Sequence, residues 1–314
     1  MNTQSNAVPE FPLDSQAIAP GVMSATRPMY WSVRRELWEN RSIYIAPLAA
    51  AGIAMLGFLI SLIYLPRDVR GLPALPPAQQ RIELAVPYAH VDMLLTLTAF
   101  LVAIFYSLDA LYGERRDRSI LFWKSLPVSD RTTVLSKAII PLVVLPPIVF
   151  VITVAVQFIM LLLSVAVLAV SGVGTAAPWT PPLLQMQLVS LYGLVVMALW
   201  HAPLYMWMLL VSGWVRCAPF LWATLPLLVI GGFEWIAFHT SYFGQLIKER
   251  LIGFAAAAFD LKDKAVVPVD PHFIPLTQLA PGRFLSNPSL WIGLVFAAAC
   301  LVAAVRLRRY REPI

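Results

Sequence analysis

The ionisable residues of this chain are few and clustered, and the clusters are where chemistry would have to occur. Arg34-Arg35-Glu36 stands among aromatics in the segment 28–41. Residues 114–119 read Glu-Arg-Arg-Asp-Arg-Ser, and a short apolar run leads from them to Leu126-Pro127-Val128-Ser129-Asp130. Asp109, His201 and Glu234 lie within or at the ends of long apolar stretches. Side chains of these types at these spacings can pair ions, exchange protons or recognise a partner. They do not form a covalent catalyst: there is no His-Glu-x-x-His, no Gly-x-Ser-x-Gly and no carboxylate pair that spacing can place together. A phosphate-binding P-loop needs glycine immediately before its lysine. None of Lys124, Lys137, Lys248, Lys262 or Lys264 follows a glycine, so the chain reads as a non-enzyme. Cys217 and Cys300 are far apart and sit in or beside apolar segments. They read as plain apolar residues, not as a disulfide or a metal site.

The elements that must hold these residues are set by composition. Of 314 residues, 59% are hydrophobic and 13% charged. That is about half the charge of a typical soluble domain, and mean hydropathy is +0.74. So much apolar surface cannot be hidden in a water-soluble fold of this size. The expected class is an all-α integral membrane protein, because backbone polar groups within lipid must be paired inside each segment. At 1.5 Å per residue, about 20 apolar residues cross the hydrocarbon core. Six spans are predicted, at about 43–65, 89–112, 138–171, 186–213, 219–239 and 289–306, within a transmembrane domain of 28–311. The third run, Ala138 to Ser171, carries no charge and is too long for one crossing. Pro141, Pro146 and Pro147 predict a start at the membrane surface, a bend, and then a span.

Orientation follows from the basic residues. With the N-terminus inside, 15 of the 23 Lys and Arg fall on inner segments, six of them in 113–137. The positive-inside rule then places both termini in the cytoplasm of a multi-pass cell (inner) membrane protein. Residues 1–27, rich in polar residues and proline, are expected to be a disordered cytosolic tail and not a signal peptide. In 28–41, Tyr30, Val33, Leu37 and Trp38 recur on one helical face, which predicts an amphipathic elbow helix in the headgroup layer carrying Trp31, Arg34, Arg35, Leu37 and Trp38. After the second span, a partly apolar cytosolic helix ringed by basic residues could dock into a groove on a soluble partner. Leu126-Pro127 ends it, and Ser129 or Asp130 caps the next helix. Residues 241–259 predict another short helix on the outer side.

The order of Arg-Arg-Glu-Leu, Glu-Arg-Arg-Asp-Arg-Ser and Leu-Phe-Trp-Lys-Ser-Leu-Pro-Val-Ser-Asp…Lys resembles the type-2 permease family of ATP-binding cassette (ABC) transporters. The pattern falls on Glu114, Leu121, Leu126, Pro127, Val128, Ser129 and Lys137. The resemblance implies a coupling helix that contacts a separate cytosolic ATPase subunit through Glu114, Arg115, Arg116, Asp117, Leu121, Phe122, Trp123, Leu126, Pro127 and Ser129. It also implies outer re-entrant helices before the last span, and a homodimer of permease chains forming the translocation path of an exporter. ATP and Mg would sit on the partner, with no cofactor, metal or nucleic acid on this chain. Glu234 and His201 are the candidates for polar groups in the path or at the dimer seam. Two other readings stay open: a proton-coupled secondary transporter using Glu234 or His201, for which no inverted repeat is evident, and a membrane scaffold without transport.

Overall fold

The computed structural model describes residues 26–119, 128–172, 183–260, 276 and 279–310. Every extended element among them is helical; the only strand-like pairing in the described residues is a single bridge between Phe259 and Leu279. Residues 1–25, 120–127, 173–182, 261–275, 277–278 and 311–314 lie outside the described part, and with them the predicted tail up to residue 25 and Leu121, Phe122, Trp123, Leu126 and Pro127.

Helix α1 (Thr26–Glu39) leads almost directly into the first apolar helix, α2 (Ser42–Ser61). A short helix, α3 (Leu65–Gly71), turns the chain into α4 (Pro77–Asp109), followed by the single turn α5 (Tyr112–Arg116). Next comes α6 (Asp130–Ile139), whose N-cap is Ser129: its Oγ accepts the Thr132 N–H at 3.1 Å. A π-helical turn, Ile140–Val144, joins α6 to α7 (Leu145–Val170). Pro141, Pro146 and Pro147 lack backbone donors, so the regular i→i−4 ladder cannot run through. The predicted proline interruption is thus a π-turn, at the predicted place.

Helix α8 (Leu183–Trp214) is the centre of the bundle and buries residues all round its surface, including Trp200, His201 and Tyr205. Helix α9 (Pro219–Phe238) is bounded on both sides by residues in the left-handed conformation, Ala218 and His239. Two short helices, α10 (Tyr242–Ile252) and α11 (Phe254–Ala258), return to α8. After α12 (Pro281–Leu285), the last long helix, α13 (Pro288–Tyr310), packs along α8.

Among the described residues, six helical stretches are long and apolar enough to cross a membrane, and each coincides with a predicted span. The second begins earlier than predicted, because the helix starts at Pro77, a residue suited to the first helical turn, and extends before the apolar run begins. The apolar core joins α2, α4, α7, α8 and α13. Helix α9 buries only Ala223, so nearly all of its apolar surface faces outward.

Candidate functional site

One end of the bundle contains a buried ion cluster drawn from five segments. Helix α1 contributes Arg35 and Glu36, and Glu36 is fully buried. Tyr106 comes from the end of α4, Glu114 from α5, Asp130 and Lys137 from α6, and Arg308 from the end of α13. The Lys137 ammonium lies 2.8 Å from Glu36 Oε1 and 3.1 Å from Glu114 Oε1. Arg35 bridges the same carboxylates at 2.7 and 3.1 Å. Arg308 pairs with Glu114 through one nitrogen and with Asp130, at 3.1 Å, through another. The Tyr106 hydroxyl donates to Glu36 Oε2 at 2.9 Å.

Buried charges persist only when pairing and hydrogen bonding offset the loss of water. Here Lys137 is shared between two carboxylates and Glu114 between three cations, so no single pair is complete in itself. Burial alone would raise the Glu36 pKa. The ammonium of Lys137 and the guanidinium of Arg35 outweigh it and hold the carboxyl below its ordinary range. Since every charged group is paired with another protein group, the cluster is suited to fixing the relative positions of five segments.

The cluster changes the reading of α1. Of the expected stripe, Tyr30 and Trp38 are exposed, together with Trp31. Arg34 lies between the two tryptophans, 5.2 Å from the Trp31 ring centroid and 4.7 Å from that of Trp38. Val33 and Leu37, placed on the same stripe, instead pack against the core. The inward face also carries the buried Ser32 and Glu36, because the end of the bundle offers partners for charge.

The expected partner-facing segment is narrowed in the same way. Glu114 and Arg115 turn inward: Arg115 donates to the carbonyls of Gly213 and Val215, both at 2.9 Å, and satisfies the end of α8. Arg116 and Asp117 remain exposed and pair with each other at 3.0 Å. Asp109 lies 4.0 Å from Arg116. Ser129 serves as the cap of α6.

Glu234 and His201 serve the two ends of one helix, α10. The Glu234 carboxylate accepts the backbone N–H groups of Tyr242 and Phe243, each at 2.8 Å, and the Thr240 hydroxyl at 2.9 Å. An anion there suits the positive end of a helix. At the other end, Trp200 Nε1 donates to the Arg250 carbonyl at 3.1 Å, and His201 Nε2 stands 3.2 Å from the Leu251 carbonyl. The Arg250 side chain returns to the carbonyls of Trp200 and Ser289 at 3.2 and 2.7 Å. A helix in an apolar setting must have its terminal donors and acceptors satisfied, and these side chains satisfy them.

Sequence reasoning missed Asp92, which is buried in α4 and accepts the Ser190 hydroxyl of α8 at 2.9 Å. It also missed the part played by Tyr106 and Arg308 in the ion cluster. The available signal for Asp92 was an acid inside a predicted span; Tyr106 and Arg308 gave none, since only the packing of α4 and α13 brings them to Glu36 and Glu114.

Fold and site define an all-helical, multi-pass membrane protein with an ion cluster at one end of its bundle. No protein-family model, curated protein or solved structure matches the chain.

Proposed function

We propose that this chain is the permease subunit of an ABC exporter, driven by a separate cytosolic ATPase subunit that docks on the segment following the second span. The observation that carries the reading is the ion cluster. It ties Glu114, the acid that opens the family-like motif, and Lys137, the lysine that closes it, to α1 and to the end of α13. A displacement of 114–129 by a docked partner would therefore reach the first, third and last spans through charge pairs, without a flexible link. Among the described residues assigned to the contact, Arg116, Asp117 and Ser129 are exposed and available to that partner. In this reading α1 is the elbow helix at the cytoplasmic headgroup layer, α10 and α11 are the outer re-entrant helices, and two copies of the chain enclose the path. ATP with Mg, bound to the partner, supplies the free energy. This chain converts it into a change between two arrangements of its spans, each favoured by different contacts.

Against the proton-coupled alternative stand the contacts of its two named residues, since Glu234 and His201 each hold one end of α10. A scaffold role would need the ion cluster for rigidity alone. The deciding experiment is purification of the chain from its native membrane and reconstitution with any ATPase subunit that accompanies it. ATP-dependent transport that is lost in Arg116→Glu, with the chain still folded, supports the reading. Transport driven by a proton gradient without ATP, or failure of any ATPase to co-purify, overturns it.

A further inference from the structure

At the end of the bundle opposite the ion cluster, α2, α3, α4 and α7 enclose a cavity of about 520 Å³. This falls within the range of about 300–1,000 Å³ typical of small-molecule sites. Its walls are apolar, with Phe58, Leu65, Val69, Leu84 and Leu168 among them. The wall is held together by packing of Val69 of α3 on Leu168 of α7, and by Arg70, which donates to the Ser171 carbonyl at 3.3 Å.

The polar groups of the cavity are mostly acceptors. Asp68 and Glu83 line it and form no ion pair among the described residues. Pro87, also in the lining, has no N–H, so the Glu83 carbonyl loses the donor it would have in an uninterrupted helix. Deeper in, Tyr88 and Ser164 are 4% and 6% exposed, and the Ser164 hydroxyl donates to the Met160 carbonyl of its own helix at 2.9 Å. Arg67 is the one cation among the described residues of the lining. Ser164 lies six residues, about 9 Å, inward from the end of α7. The cavity therefore runs inward from a charged rim between apolar walls.

We propose that this cavity is a binding site for an amphiphile bearing an ammonium group, with the ammonium at Asp68 and Glu83 and the alkyl chain against Phe58, Leu84 and Leu168. The site does not depend on the permease reading, because binding needs this chain alone. Such a headgroup belongs either to an ethanolamine lipid of the bilayer or to a free cationic amphiphile.

The test uses the full chain in nanodiscs of uncharged lipid, with a photoreactive dodecylammonium probe and its dodecyl sulfate counterpart, and maps the labelled peptides by mass spectrometry. Saturable labelling of 58–72 and 83–88 by the ammonium probe is expected, with at least tenfold less by the sulfate probe. The rim variant Asp68→Asn/Glu83→Gln, which leaves the packed wall intact, should lower labelling about tenfold, and Ser164→Phe, which fills the inner end, should abolish it. Competition by phosphatidylethanolamine added to the nanodisc identifies a bilayer lipid as the occupant; its absence identifies a free amphiphile. Equal labelling by both probes, or labelling unchanged in the rim variant, overturns the proposal.

Discussion

Lys137 lies between two carboxylates, Glu36 and Glu114, with 2% of its side chain exposed. Lys137→Met would leave both with one cation fewer in a setting without water. Loss of one partner from a buried ion pair costs about 3–5 kcal/mol, and thermal unfolding of the detergent-solubilised chain should show a destabilisation of that order. Glu114→Gln keeps the shape of the side chain but removes the charge shared by Arg35, Lys137 and Arg308 and points a donor at one of them, so it should cost at least as much. Acid should act on the same group. The Glu36 carboxyl is held below its ordinary value of 4.5 in the fold, so the unfolded chain takes up the proton first as pH falls. Its stabilising contribution is complete above the ordinary carboxylate range and is lost as pH drops through the lower folded-state value. Melting temperature measured from pH 8 to pH 3 should therefore fall at the acid end, and Glu36→Gln should flatten that fall while starting from a lower stability.

Helix α10 stands on contacts at its two ends. Its exposed residues leave it no buried face of its own, and its capping partners are Glu234, Trp200 and His201. Trp200→Phe keeps most of the ring and removes the donor to the Arg250 carbonyl. A lost hydrogen bond is worth about 0.5–1.5 kcal/mol, so amide exchange in α10 should quicken by up to about tenfold while α13 is unchanged. Glu234→Ala should act at the other end, removing the acceptor of two backbone N–H groups, at about 1 kcal/mol. Hydrogen exchange followed by mass spectrometry separates these local effects from global unfolding. Equal acceleration across all helices would show that α10 is not an independent unit.

Over the whole molecule, the ion cluster and the cavity lie at opposite ends of the six apolar stretches. The exposed Cys217 lies in the connection between α8 and α9, beside the α8 terminus held by Arg115, and thus at the ion-cluster end. If that end is cytoplasmic, a membrane-impermeant maleimide applied to intact cells should leave Cys217 unlabelled. The same reagent should label a cysteine placed at Arg70, beside the cavity, in a Cys217→Ser background. Permeabilised cells should label both. The reverse pattern would invert the orientation and, with it, the side on which an ATPase could dock.

The number and place of the long helices were legible in the sequence, because a membrane-crossing helix declares itself by a local property, the length of its apolar run. The π-turn at 140–144 was legible for the same reason: proline withholds its donor whatever surrounds it. The inward turn of Arg35, Glu36, Glu114 and Arg115 was not. A charge cluster next to a span reads as a solvated face until the partners that replace water are known, and those partners lie as far away as Arg308. Glu234 and His201 were visible as polar groups in apolar runs, but their roles depended on where a short helix, α10, came to rest. Local chemistry thus determined which segments are helices and which lie in an apolar layer. Only tertiary packing decided which of the few charges face each other, because pairing across 70 to 190 residues is a matter of geometry that no local pattern contains.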